Sequence, residues 1–166
     1  YINDLTKISL SPESIARHHD MKIVYTPIHG TGVTVIPPTL KAFGFTNIIH
    51  VPEQDVVSGD FPTVVSPNPE EPAALALAVE KAKETDAELV LASDPDADRV
   101  GAAVKNNEGE WVLLNGNQTA LMFVYYLITR WKELGKINGK EYIVKTIVTT
   151  ELIRTIAEKN GVEVYD

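Results

Sequence analysis

The sequence predicts an α/β fold: a doubly wound, mostly parallel sheet with an antiparallel hairpin, followed by an incomplete second α/β domain. Three observations carry that expectation. Short β-rich runs alternate with helical segments as far as residue 92, the spacing of a parallel sheet with crossover helices. Asn106-Asn107-Glu108-Gly109 lies between two further β-rich runs and reads as a hairpin turn. After residue 114 the pattern restarts as helix, strand, helix, strand with no leading strand. The expected domains are therefore 1–114 and 115–166.

The elements follow in order. The first twenty residues are a polar, helical lead-in, with Ser11-Pro12-Glu13-Ser14 placing a capping Ser before a first-turn Pro. A strand is expected over 21–26, a loop over 27–32 and a helix over 33–43, in which Pro37-Pro38 forces an irregularity or a restart. Gly44 closes that helix and 47–51 reads as the second strand. The Pro-, Asp- and Ser-rich stretch 52–72 reads as a long loop, a length that is uncommon in compact domains and often functional. A helix over 73–85 with a near-continuous apolar face is expected to pack on the sheet. Strands follow over 88–92, 100–104 and 110–114. Beyond them come an amphipathic helix over 116–134, a strand over 142–148, a helix over 151–160 and a strand over 162–165.

Composition narrows the function. The 166 residues carry a formal net charge of −8, with 44% hydrophobic and 23% charged residues, the balance of a folded chain. No basic stripe is available to displace phosphate counterions, so nucleic acid is not an expected partner. The longest apolar run covers nine residues, 120–128, about half of a membrane span, so no membrane association is expected. Cysteine is absent, which removes disulfides, thiolate metal sites and cysteine nucleophiles and fits a cytoplasmic protein. No secretory signal opens the chain. Starting at Tyr1 and ending on an apparent strand, it reads as part of a longer protein.

The most informative segment is Ser93-Asp94-Pro95-Asp96-Ala97-Asp98-Arg99, directly after an apolar strand. Ligands of parallel α/β sheets bind at such strand ends. Three carboxylates at alternate positions must repel one another or share a cation. In an extended strand the outer two would stand about 13 Å apart, too far for one ion with oxygen bonds of about 2.1 Å. The segment must curl. Hard oxygen ligands suit Mg²⁺, Mn²⁺ or Ca²⁺ rather than zinc or copper. An EF-hand is excluded, because its required Gly and Glu positions hold Arg99 and Lys105. A solvated acidic turn is the alternative.

Thr26-Pro27-Ile28-His29-Gly30-Thr31-Gly32 leaves the first strand at the same sheet edge, where glycines before a helix can offer N–H groups to an anion. A simple tight turn explains the stretch equally well. His29 reads either as a substrate contact or as a structural hydrogen bonder. His18, His19 and His50 have no ligand spacing to the acidic loop and read as solvated or incidental.

Taken together these residues resemble the α-D-phosphohexomutases, the family of phosphoglucomutase and phosphomannomutase. The Asp-x-Asp-x-Asp-Arg pattern is met by Asp94, Asp96, Asp98 and Arg99, and the stretches 26–32 and 66–70 are similar to the phosphoglucomutase branch. Val144-Lys145-Thr146-Ile147-Val148-Thr149-Thr150 is similar to the family strand that carries a basic, substrate-facing residue, which maps to Lys145. The resemblance implies that Asp94, Asp96 and Asp98 hold Mg²⁺ (Mn²⁺ as the alternative ion) against a phosphoserine of another domain. Arg99 would steady the phosphoryl group, and Lys145 and His29 would meet a hexose phosphate or hexose bisphosphate. Such enzymes interconvert hexose 1- and 6-phosphates through a bisphosphate.

The chain would be the second domain and the start of the third. It lacks the family's serine context, its sugar-discriminating loop and its phosphate-binding loop, so it is expected to need the missing domains of the same chain and to be inactive alone. Two other classes stay open at this point. A haloacid-dehalogenase-type phosphatase would use Asp94 as nucleophile, although that family favours Thr or Val where Asp98 stands. A non-enzymatic metal-binding module would use the loop as a structural ion site.

Overall fold

The computed structural model describes residues 1–166, which divide into two compact units, Tyr1–Leu114 and Asn115–Asp166. The first unit contains α1 (Ile2–Thr6), α2 (Pro12–Arg17), β1 (Lys22–Thr26), a 3₁₀ turn (Thr31–Thr34), α3 (Ile36–Phe43), β2 (Asn47–His50), α4 (Pro52–Asp55), α5 (Pro72–Thr85), β3 (Leu89–Ser93), β4 (Val100–Lys105) and β5 (Trp111–Leu114). The five strands form one sheet in the order β2-β1-β3-β4-β5. β1 pairs in parallel with β2 and β3, while β4 is antiparallel to both its neighbours, so β4 alone runs against the other four. The α/β class and the hairpin are as the sequence predicts.

A single row of side chains crosses the sheet. Val24 stands opposite Ile49 and Val90, Val90 opposite Ala103, and Ala103 opposite Leu113. All belong to one core with Ala74, Leu75, Ala78 and Ala82 of α5. The alanines recur every four residues along one helix face, and their small side chains let the helix lie close to the strands. Ile23 and Tyr25, on the opposite face of β1, are buried as well. Burial of both faces is what a central strand of a doubly wound sheet requires.

Two predicted elements differ in detail. The helix expected over 33–43 is a 3₁₀ turn followed by α3, which restarts at Ile36 with Pro37 and Pro38 in its first turn, where their missing N–H groups cost nothing. The stretch 52–72, read as a loop, contains α4. Four residues cannot hold a helix by propensity; Gln54, fully buried, ties it down instead. Its amide donates to Thr63 Oγ1 and to the Ala74 carbonyl (both 3.2 Å), and its Oε1 accepts from Thr26 Oγ1 at 2.7 Å. Further along, the Ser66–Glu70 stretch lies against β4. A Cβ on Gly101 would stand 2.3 Å from the Pro69 carbonyl oxygen, so no larger residue fits there.

The second unit contains α6 (Gly116–Glu133), β6 (Tyr142–Val144), α7 (Leu152–Lys159) and β7 (Glu163–Tyr165), with β6 and β7 parallel. A capping box opens α6: Asn115 Oδ1 accepts from the Gln118 amide, and Gln118 Oε1 accepts from the Asn115 amide. Ile128, Ala157 and Val162 form the core. β6 stops well short of the predicted 142–148, because residues 146–149 close a turn. The Thr149 amide donates to the Thr146 carbonyl at 2.9 Å, and the two threonine hydroxyls meet at 3.0 Å. No helix is long and apolar enough to cross a membrane.

Leu75 is fully buried at the centre of the α5 contact, whereas Val65 is fully exposed. Leu75→Ala is expected to lower the unfolding free energy in urea by about 2–5 kcal/mol. Val65→Ala should change it by less than about 0.5 kcal/mol.

Candidate metal centre

The acidic loop leaves the end of β3, beside the loop that leaves β1, since the two strands are paired through Thr26 and Ala92. Ser93, the last strand residue, shares a 2.8 Å hydrogen bond with the buried Tyr25 hydroxyl. Burial pushes that phenol up to about 12, with the Asp55 charge adding to the rise and the Ser93 bond opposing it. The phenol therefore stays neutral and fixes the strand end from which the loop starts.

Asp94 comes next and is almost completely buried, its side chain only 2% exposed. Arg99 holds it twice. The Arg99 amide donates to Asp94 Oδ1 at 2.9 Å, and Arg99 Nε donates to Oδ2 at 2.7 Å. The Ala97 amide donates to the Asp94 carbonyl at 3.0 Å. Ala97 takes the left-handed conformation, φ 60°, which completes the curl at a cost of about 1–2 kcal/mol for an L residue. The result differs sharply from an extended strand: one carboxylate oxygen from each of Asp94, Asp96 and Asp98 lies within 4.8 Å of the others.

Asp94 and Asp98 are electrostatically unlike. Burial alone would raise Asp94, but the Arg99 amide and guanidinium outweigh it and hold the carboxyl below the usual range. Asp98 is raised instead, by its contact with Asp94 first and then by the charges of Asp96 and Asp94. Arg99 is raised by its bond to Asp94, and its Nε also lies 3.8 Å from Asp98. Three acidic oxygens crowded at this distance, with only one cation beside them, form a donor set that fits a hard divalent ion, whose opposed oxygen ligands stand about 4–5 Å apart.

The 27–32 loop is joined to this centre. The Thr31 amide and hydroxyl both donate to the Pro95 carbonyl, at 2.9 and 3.1 Å. The backbones run so close that a Cβ on Gly30 would sit 2.3 Å from the Pro95 Cα. The ring of His29 is buried elsewhere. Its Nδ1 lies 2.8 Å from the Val56 carbonyl and its Nε2 2.8 Å from Thr63 Oγ1. A carbonyl can only accept, so Nδ1 carries the proton, and in the neutral ring Nε2 accepts from the Thr63 hydroxyl. Thr63 in turn accepts from Gln54. His29 is thus the last side chain in a directed chain of hydrogen bonds that ends on the Val56 carbonyl and anchors the 52–63 segment. Nothing in the sequence marked Gln54 or Thr63 as members of it. His50, read as incidental, has its Nδ1 2.8 Å from Asp55 Oδ2.

In the second unit, Lys145 stands directly after β6 with its side chain 2% exposed. Its ammonium donates to Glu151 Oε1 at 2.6 Å and Asp166 Oδ1 at 2.8 Å. Arg154 reaches the other oxygen of each carboxylate, with Nε 3.3 Å from Glu151 Oε2 and its terminal nitrogen 2.6 Å from Asp166 Oδ2. Lys145 is raised by its bonds to Asp166 and Glu151. Of this cluster the sequence singled out Lys145 alone; Glu151, Arg154 and Asp166 join it only in the fold.

Comparison with known proteins agrees with this architecture. The family model for phosphoglucomutase/phosphomannomutase, alpha/beta/alpha domain II, matches residues 1–109. The chain is 37% identical over 165 residues to human phosphopentomutase, covering 97% of this chain and 27% of that protein. It is 36% identical over 148 residues to the phosphoglucomutase of Staphylococcus saprophyticus, covering 89% and 26%. The chain thus spans about a quarter of the length of these relatives. In fold it matches the crystal structure of a phosphoglucomutase/phosphomannomutase family protein from Burkholderia thailandensis, with a TM-score of 0.67 at 21% identity, over 96% of this chain and 32% of that one.

The opposite shifts at Asp94 and Asp98 set opposite outcomes for their removal. A depressed carboxyl stabilises the fold above its unfolded pKa, and that contribution is lost as pH falls through the folded value. A raised carboxyl destabilises the fold once it is ionised. In chelator at neutral pH, Asp94→Asn should lower the melting temperature and Asp98→Asn should raise it, as read by calorimetry. The difference should shrink as the pH is lowered into the acid range.

Proposed function

Since the chain belongs to the phosphoglucomutase/phosphomannomutase family, of which 1–109 is the second α/β/α domain, we propose that its acidic loop is the metal site of a sugar-phosphate mutase. The observation that carries this reading is the gathering of Asp94, Asp96 and Asp98 within 4.8 Å, with Arg99 locked onto the buried member. Bound Mg²⁺, or Mn²⁺ in its place, would supply charge neutralisation to a phosphoryl group in transfer. Arg99 commits its amide and Nε to Asp94 while its side chain remains about half exposed, so its terminal N–H groups are left to steady phosphoryl oxygens.

The whole protein would interconvert hexose 1- and 6-phosphates through an enzyme phosphoserine and a hexose bisphosphate. Residues 115–166 would begin the third domain, with Lys145 on the substrate side. His29, its two ring nitrogens already engaged, would serve the substrate through the loop it anchors. The isolated chain would not turn over. Human phosphopentomutase, at 37% identity, favours a second reading in which the sugar is a pentose. The phosphatase alternative fares worse: an Asp94 nucleophile would be almost wholly buried, with Arg99 on both of its oxygens.

In the full-length protein, Asp96→Asn should lower kcat for glucose 1-phosphate by about 10²-fold or more while leaving the melting temperature of the chelated protein nearly unchanged. Ribose 1-phosphate assayed alongside separates the hexose and pentose readings. Peptide mass spectrometry should find phosphoserine upstream of Tyr1 and no phosphate on Asp94. Undiminished turnover in Asp96→Asn, or a phosphorylated Asp94, would overturn the assignment.

A further inference from the structure

The charged ring of the second unit holds more carboxylate than its buried lysine needs. Burying an ammonium is costly unless it is paired, and Asp166 alone would pair Lys145, at 2.8 Å. Asp166 also holds Arg154, through its other oxygen at 2.6 Å, and Arg154 is braced further by its bond to the Val164 carbonyl. The two cations would therefore stay in place without Glu151. Glu158 touches Arg154 only loosely, at 3.8 Å.

Glu151 has a different character. Its side chain is 70% exposed, yet its two oxygens bridge Lys145 Nζ and Arg154 Nε. An O–C–O edge spanning an ammonium and a guanidinium stands where the O–P–O edge of a phosphate would bind, with better charge and the same bidentate geometry. On swinging into water the exposed carboxylate regains its hydration, while Asp166 stays on both Lys145 and Arg154. Glu151 also stands at the N-cap of α7, where the helix dipole favours negative charge.

We propose that Lys145 and Arg154 form a phosphate-binding pair whose resident occupant is the Glu151 carboxylate, displaced when the phosphate of a phosphosugar arrives. Arg154 becomes a binding residue and Asp166 a positioning residue that keeps both cations in place. The choice of phosphate as ligand rests on the family reading, but the site itself needs neither the metal loop nor turnover. Glu151 tunes affinity: it neutralises the pair when phosphate is absent and competes with it when phosphate is present.

Titration of the 166-residue chain with inorganic phosphate, followed by amide NMR shifts, tests this directly. Glu151→Gln should bind phosphate about tenfold more tightly than the parent chain, with shifts centred on Lys145, Glu151 and Arg154. Adding Arg154→Met to Glu151→Gln should abolish the gain. Unchanged affinity in Glu151→Gln, or a gain that survives loss of Arg154, would overturn the proposal. So would unfolding of Glu151→Gln, because a displaceable carboxylate cannot be required for the fold. Asp96→Asn should not alter the titration, so failure here leaves the metal reading standing and the reverse also holds.

Discussion

The two hydrogen bonds from Arg99 to Asp94 are the constraint on which the acidic loop depends. A carboxylate with 2% exposure is tolerated only where its charge is met, and the Arg99 amide and Nε meet one oxygen each. Those bonds close the loop over five residues, hold Ala97 left-handed and bring Asp96 and Asp98 round toward Asp94. The repulsion thereby stored falls on Asp98, whose carboxyl is raised while that of Asp94 is lowered. Under the proposed function, a bound divalent cation would relieve that repulsion. Arg99 thus acts on the fold before it acts on any ligand.

The surrounding sheet holds that loop at both ends. Upstream, Tyr25 and Ser93 tie the end of β3 to β1; alongside, Thr31 donates twice to Pro95, and Gly30 leaves room for the Pro95 backbone. The Thr26–Gln54–Thr63–His29 chain then pins the 52–63 segment to the β1 loop. Side chains on paired strands thus fix the loops that leave them, so the acidic loop sits on a rigid sheet edge.

Much of this was legible in the sequence. Alternation of β-rich and helical runs identified the sheet and its hairpin, and three aspartates at alternate positions could only be reconciled by a curl. The resemblance to the family rests on the same residues. What could not be read was tertiary. α4 exists because Gln54 is buried, a fact with no local signature. The end of β6 is set by a threonine turn, which leaves Lys145 just beyond the strand. The hydrogen-bond partners of His29, Val56 and Thr63, lie 27 and 34 residues away and have no local signature. The ring around Lys145 joins the end of β6, α7 and the residue after β7, and of its members only Lys145 was singled out by the sequence.

Binding of a divalent ion to the acidic loop is the claim from which the functional account follows, and paramagnetic broadening by Mn²⁺ tests it most directly. Substoichiometric Mn²⁺ added to the ¹⁵N-labelled chain should broaden the amides of Asp94 to Arg99 first, then those of Gly30 and Thr31, and saturate at one ion per chain. Mg²⁺ in excess should reverse the effect. Broadening that is unsaturable, or centred on the exposed acidic residues of another segment, would contradict the account and reduce the loop to a solvated acidic turn.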